Sequence, residues 1–307
     1  MQKMTPKDRP ARAKASWVPG FGDSPEAAKM ESTGLQLSEA QYTKLAQLVY
    51  RLAGIHLGAG KKELLRARLA SRLRTVGCSD VKEYIRRLED DSGGQELISF
   101  LDCITTNKTD FFREAMHFDF LVQDVLPQMD KLCQGNAPFR LWSAACSTGE
   151  EPYTLAMVLR ENPQFWERRG LSFLASDLST KVLEKARQGV YALDRVASMP
   201  RQLLTRYFQR GANRWNGYVR VRPDLRSMVR YERINLMDPF KLGEPFQVIF
   251  CRNVMIYFDK PTQERLVDKF YSCLVKGGYL FVGHSESLTG IRHRLGYVRP
   301  AVYRRES

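Results

Sequence analysis

A chain of 307 residues, 43% hydrophobic and 27% charged, has the make-up of a soluble globular protein with room for one large domain and a smaller one. No apolar run approaches the ~20 residues that span a bilayer, and the first residues lack the apolar stretch of a secretory signal, so neither membrane insertion nor export is expected. The net charge of +14 calls for an acidic partner, nucleic acid or an acidic protein surface, without choosing between them.

Residues 1 to about 34 mix Pro, Lys, Arg, Ser and Gly without periodicity and read as a flexible tail. From Leu37 the pattern turns helical. Ser38-Glu39-Ala40-Gln41 forms a capping box, Leu45, Leu48, Val49 and Leu52 recur on one face, and Gly54 ends the helix. A second helix is predicted from about Lys61 to Val76, with Leu64, Leu65, Leu69 and Leu73 inward, Lys62, Arg66, Arg68, Arg72 and Arg74 outward, and Gly77 as its stop. Glu63 is the only acid between Arg51 and Arg74, so this basic face is either plainly solvated or a docking surface. Ser79-Asp80 opens a third helix carrying Tyr84, Ile85 and Leu88, and a fourth runs from Gln95 to Ile104. Residues 35–105 thus form an all-helical domain. Thr105 to Glu114 breaks the pattern with polar residues around Phe111 and Phe112, and on spacing alone residues 106–120 read as an inter-domain linker. A helix from Phe118 to Met129 follows.

Residues 121–307 alternate strands with helices, which predicts an α/β fold with a doubly wound, mostly parallel sheet. Its first strand, Arg140 to Ala144, runs into Ala145-Cys146-Ser147-Thr148-Gly149 and a helix opened by Glu150-Glu151-Pro152. Ser147 or Thr148 can cap that helix, and Pro152 is tolerated in its first turn. A pyrophosphate wants bare amides at such a turn, and Glu150 with Glu151 would repel it. S-adenosylmethionine carries a sulfonium, an ammonium and a ribose but no phosphate, so the turn reads as a site for that cofactor rather than for NAD or ATP. The second strand, Leu171 to Asp177, ends in an acid placed either to hold ribose hydroxyls or to cap the helix beginning near Ser179.

Residues 200–227 are crowded with Arg201, Arg206, Arg210, Arg214, Arg220, Arg222 and Arg226, and Tyr218 to Arg222 alternates like an exposed strand. This predicts a small antiparallel β-subdomain, either a solvated hairpin or a binder of acidic peptide or nucleic acid. Met228 to Ile234 resumes the sheet and ends at Asn235-Leu236. Phe246 to Cys251 is a central strand followed by Arg252-Asn253-Val254-Met255-Ile256-Tyr257 and a helix from Pro261 to Leu274. Lys276-Gly277-Gly278 reads as a turn into the strand Tyr279 to Gly283, and Gly296 to Val298 with Ala301 to Arg304 closes an antiparallel edge. Six cysteines without metal-type spacing and four scattered histidines predict reduced thiols in a cytoplasmic protein and no metal site.

Five separated motifs occur in order: Thr105 to Glu114, Trp142 to Tyr153, Ala175-Ser176-Asp177 with Val182 to Tyr191, Cys251 to Asp259, and Gly283-His284-Ser285-Glu286-Ser287. Together they resemble the CheR-type chemotaxis receptor methyltransferases, protein-glutamate O-methyltransferases, over roughly residues 36 to 305. The resemblance implies a Rossmann-like S-adenosylmethionine-dependent methyltransferase domain with an all-α N-terminal domain and a small inserted β-subdomain. It implies that Asn107, Thr109, Arg113, Glu151, Asp177, Asn235, Leu236, Arg252 and Asn253 contact the cofactor, with Asp177 on the ribose. Arg113 and Tyr257 would lie nearest the transferred methyl group.

It further implies that the chain methylates glutamates on the cytoplasmic region of chemotaxis receptors, leaving S-adenosylhomocysteine. The basic N-terminal helix would dock the receptor, without nucleic acid or membrane insertion, and a monomer is expected. Some members grip a receptor C-terminal peptide with the β-subdomain. Here Ala212-Asn213-Arg214 stands where those members tend to have a glycine-containing turn. Two alternatives stay open. A nucleic-acid methyltransferase would explain the charge, although no Asn/Asp-Pro-Pro-Tyr/Phe site is present. A non-catalytic cofactor-binding adaptor would have little reason to keep Glu151, Asp177 and Asn253.

Overall fold

The computed structural model describes residues 35–91, 94–133, 137–240 and 242–306. The predicted tail, residues 1 to about 34, lies outside them.

Four helices, α1 (Glu39–Ala53), α2 (Lys62–Val76), α3 (Val81–Glu89) and α4 (Gln95–Ile104), pack Leu45, Val49, Leu65, Leu69, Tyr84 and Phe100 into one small core. The Ser38–Gln41 capping box is present, and Gly54 and Gly77 end α1 and α2 in the left-handed conformation. On α2 the predicted faces need correction. Leu65, Leu69 and Leu73, four residues apart, already fill the inward stripe, so Leu64, about 100° round the helix, is left 39% exposed. Arg68 and Arg72, at the edges of the stripe, turn inward instead. Arg68 donates to the Ile104 carbonyl and to Thr106 Oγ1, and Arg72 forks onto buried Glu96 at 2.8 and 2.5 Å.

The segment after the linker holds α5 (Met116–Phe120), a wide π-type turn over residues 121–125, a 3-10 turn at Leu126–Gln128 and α6 (Met129–Leu132). The single helix predicted here is broken because Pro127 has no N–H to donate. The sheet strands are β1 (Phe139–Ala144), β2 (Leu171–Asp177), β6 (Val229–Arg233), β7 (Phe246–Cys251), β8 (Leu274–Val282), β9 (Gly296–Arg299) and β10 (Val302–Arg304). Their order is β6-β2-β1-β7-β8-β10-β9, parallel from β6 to β8 and antiparallel at the β10 and β9 edge. Gly277 does not turn the chain but bulges it inside β8, with φ +80 and no room for a Cβ beside Leu132.

Both faces of the sheet are covered. Leu141, Phe173, Val248, Phe250 and Phe281 enter one core, and their neighbours Trp142, Leu174, Ile249 and Leu280 enter the other. Helices α7 (Glu150–Glu161) and α11 (Lys260–Cys273) supply opposite layers, while α8 (Thr180–Gln188) lies against β2 and β6. The small antiparallel sheet has the order β3 (Val190–Ala192), β5 (Tyr218–Val221), β4 (Phe208–Arg210). It therefore starts ten residues earlier than the arginine-rich stretch suggests, since β3 carries no charge to mark it. Helices α9 (Arg201–Tyr207) and α10 (Pro223–Arg226) flank it.

The helical domain docks directly on the sheet domain. Asp102 of α4 accepts from the Thr180 N–H and hydroxyl at the start of α8, at 3.0 and 2.7 Å. The loop after α1 pairs with the loop after β7, where Ile55 bridges Phe258 and the His56 N–H donates to the Tyr257 carbonyl at 2.8 Å.

Candidate active site

Parallel strands leave their carboxyl ends at one rim, and where the order reverses on either side of β1 a crevice opens. The turn after β1 is strained, with Ala145 at φ +63, Ser147 at φ +50 and Gly149 at φ +98. Three of its amides are spent inside the protein. Cys146 N–H donates to the Ser176 carbonyl, Ser147 N–H to Asp177 Oδ2 at 2.9 Å, and Gly149 N–H to the Cys146 carbonyl. A phosphate would find none of these three free. Neither Ser147 nor Thr148 caps α7, whose N-cap is Gly149 without a side-chain bond. Ser147 Oγ donates to the Asn107 carbonyl instead, and Thr148 Oγ1 to Glu150.

The two acids of the turn separate. Glu151 lines the cleft, where it accepts from Ser143 Oγ at 2.7 Å and from Arg252 at 3.0 Å. Glu150 is buried away from it, held by Arg195 at 2.9 Å. The repulsion of a phosphate expected from both acids falls to Glu151 at the cleft, because neighbours on a helix lie 100° apart. Asp177 is not a helix cap, because Ser179 Oγ takes that role for α8. Its carboxylate lines the cleft and accepts from Ser147 and Ser179 N–H groups, both at 2.9 Å. Burial pushes both the Glu151 and Asp177 carboxyls up from the ordinary range.

The stretch 105–114 is more than a linker; it is a strap across the cleft. Thr105 to Asp110 and Arg113 all line it. Phe111 anchors the strap in the core against Tyr191 and Phe208, and the Phe112 N–H donates to Thr154 Oγ1. Arg113, half-buried, donates to the Lys108 carbonyl at 3.1 Å. Beneath the strap, Arg252 is 2% exposed and pairs with Glu114 at 2.8 Å and Glu151 at 3.0 Å, while also donating to the Arg113 carbonyl. Burial acts against the charge on Glu114, but its bonds from Arg252 and Asn253 win and hold its carboxyl below the usual range.

The loop 252–257 is shaped by Glu286, which accepts from the N–H groups of Gly283, Asn253 and Ile256. Tyr257 is half-buried at the lip of the cleft. Asn235 ties domains together, its amide donating to the Leu52 carbonyl at 2.7 Å and its oxygen accepting from Met237. Leu236 joins Leu178, Ile234 and Val254 in an apolar wall. Asn107, Thr109, Arg113, Glu151, Asp177, Asn235, Leu236, Arg252, Asn253 and Tyr257 thus all line one cleft. Five residues around it, Phe112, Glu114, Ala145, Ser147 and Asn253, hold positive φ between 50° and 63° without being glycine, a concentration of backbone strain typical of functional sites.

Periodicity missed the share of the helical domain: His56, Leu57, Leu64 and Arg68 line the same cleft. The surplus Leu64 beside an already complete stripe was the available signal. The histidines are also less scattered than the sequence suggests. His117 and His284 meet edge to face at 4.7 Å, and their nitrogens lie with Glu114 within 4.8 Å. Both Glu114 oxygens are already taken by Arg252, Asn253 and the His284 N–H, and a guanidinium at 2.8 Å opposes a cation there. His117 is kept neutral by burial and by nearby Arg252, with its pKa lowered to about 3. Cys146 and Cys251, both fully buried, have thiols pushed well above their ordinary range, which leaves no thiolate nucleophile at either.

Two family models match consecutive parts of the chain: "CheR methyltransferase, all-alpha domain" over residues 40–105 and "CheR methyltransferase, SAM binding domain" over residues 107–303. The chemotaxis protein methyltransferase of Borreliella burgdorferi is 41% identical over 278 residues, 88% of this chain and 96% of its own. Its counterpart in Escherichia coli K12 is 40% identical over 274 residues, 88% of this chain and 92% of its own.

Proposed function

Because this chain belongs to the CheR methyltransferase family and is an S-adenosylmethionine-dependent chemotaxis protein methyltransferase, we propose that its acceptor is the γ-carboxylate of glutamate side chains on chemotaxis receptors. One observation carries this reading: Arg113 and Tyr257 share a cleft with the carboxylates of Glu151 and Asp177. The donor set fits the cofactor, with acids for a cationic, hydroxyl-bearing molecule, an apolar wall at Leu178, Ile234, Leu236 and Val254, and turn amides already committed. When bound, S-adenosylmethionine would supply a methyl group activated by a sulfonium, whose transfer to a carboxylate oxygen breaks the C–S bond, leaves a neutral thioether and cancels two opposite charges.

A glutamate side chain is ionised near pH 7 and needs no general base. Arg113 and Tyr257 would orient the incoming carboxylate, where a near-attack separation of ~3–3.5 Å is worth several kcal/mol. Glu151 is held in place by Ser143 and Arg252, and Asp177 by two backbone amides, so neither reorganises during transfer. A strap closed over bound cofactor would exclude water, which favours a reaction that destroys charge.

In this reading the outer face of α2, with Arg74 exposed and Arg66 on the surface beside Glu63, meets the acidic receptor helix. The small antiparallel sheet is the place for a tethering peptide, and the chain works as a cytoplasmic monomer in sensory adaptation. The test is incubation with methyl-labelled cofactor and either a receptor cytoplasmic fragment or RNA. Base-labile release of labelled methanol from the receptor arm is expected. Label that survives base, or that enters only the RNA, would overturn the assignment.

A further inference from the structure

The small antiparallel sheet lies beside the cleft rather than in it, yet one of its residues reaches back. Arg195 sits in the helical turn Leu193–Val196 that follows β3. Its guanidinium donates to the Thr109 carbonyl, meets Asp110 at 3.1 Å and meets Glu150 at 2.9 Å. Thr109 and Asp110 belong to the strap, and Glu150 is the first residue of α7. One cation therefore joins three separate pieces of chain. Other ties hold the strap at either side, Ser147 Oγ on the Asn107 carbonyl and Phe111 in the core. Between them, the backbone carbonyls of Lys108 and Asp110 accept only from Arg113 of the same strap, and Arg195 is the anchor from outside among the described residues.

Glu150 makes this contact more than a surface ion pair. Its side chain is 2% exposed, and its other partner is Thr148 Oγ1 at 2.6 Å. A buried carboxylate that loses its cation must take up a proton or draw in water, and either change loosens the turn beside it. The same subdomain makes a second tie there, since Tyr191 on β3 donates to the Thr148 carbonyl at 2.8 Å.

We propose that Arg195 is a positioning residue that keeps the strap closed over the cleft and so slows release of the cofactor. The inference concerns cofactor retention and holds whichever acceptor takes the methyl group.

The test uses the full chain with Arg195→Gln, Arg195→Lys, Asp110→Asn and the Arg195→Gln/Asp110→Asn pair. Release of S-adenosylhomocysteine is followed by stopped flow, strap opening by amide hydrogen exchange over residues 106–112, and integrity by thermal melting. Arg195→Gln is expected to speed release about tenfold and to raise strap exchange in the free protein, with association little changed. Asp110→Asn should give roughly a twofold to threefold effect, Arg195→Lys should recover part of the loss, and the double variant should be no worse than Arg195→Gln alone. Unchanged release and exchange in a normally melting Arg195→Gln, or fully additive effects in the pair, would overturn the proposal. If Arg195→Gln melts early, Asp110→Asn and Arg195→Lys decide, because Asp110 is half exposed; wild-type release in both counts against it.

Discussion

Two arginines perform the same task on either side of the strap, under opposite solvent conditions. Arg252 joins Glu114 of the strap to Glu151 of α7, and Arg195 joins Asp110 of the strap to Glu150 of α7. Arg252 is 2% exposed and Arg195 38% exposed. Successive acids on one helix thus point to opposite sides, and each meets its own cation. The difference in burial separates their consequences. A sealed network resists salt but fails badly when one partner is lost, whereas a half-wet one is weaker and screened. The first belongs to the architecture of the cleft, and the second can open and close it.

The sharpest break in this comparison is Arg252→Met, which leaves Glu114 and Glu151 buried without their cation. It should cost about 3–5 kcal/mol in denaturant unfolding, and Arg252→Lys should not restore it, because one nitrogen cannot stand both where Nη1 meets Glu151 and where Nη2 meets Glu114 and the Arg113 carbonyl. A loss no larger than that of Arg195→Gln would erase the distinction.

Acid titration probes the same sealed region. The pKa of His117 is lowered to about 3 from 6.5, so the unfolded chain takes up its proton first as pH falls. Stability from this group is complete above pH 6.5 and drains toward pH 3, by up to about 1.4 kcal/mol per pH unit. His117→Phe should flatten that slope in equilibrium melts; an unaltered slope would mean that other groups carry it.

Arg113 lies between the two bridges and belongs to neither as a side chain. Arg113→Ala should lower kcat roughly a hundredfold while cofactor affinity moves little. Equal losses in both would reassign it to cofactor binding. Smallest is the salt response. Raising ionic strength to about 1 M should speed cofactor release more in the wild type than in Arg195→Gln, by on the order of twofold. Equal sensitivity would show that the exposed bridge is already broken in solution.

How much of this was legible in the sequence follows from how local each signal is. Gly54, Gly77 and Gly189 mark helix ends through their own backbone freedom, and each ends its helix in the left-handed conformation. Glu151 and Asp177 are readable because turns at the carboxyl ends of parallel strands must converge, whereas Asn107, Thr109, Arg113, Asn235, Leu236, Arg252, Asn253 and Tyr257 rest on the family resemblance. What failed depended on partners far along the chain. Arg68 and Arg72 look like solvated charges until Ile104 and Glu96 arrive beneath them. Glu114 with Arg252, and His117 with His284, meet across well over a hundred residues, which no period of 3.6 or 2 can encode. Arg195 carried no local mark at all, since one arginine among many shows its purpose only once Thr109 and Glu150 are beside it.

The seam between the domains constrains any hybrid. Gly54 has φ +69, and a Cβ there would lie 2.4 Å from the Met237 sulfur; two residues on, the His56 amide rests on the carbonyl of Tyr257. Helices transplanted from a relative must bring a matching hinge, or the phenol at the lip loses its backbone rest. The docking role proposed for the outer side of α2 predicts that repainting it redirects partner choice while leaving that seam untouched.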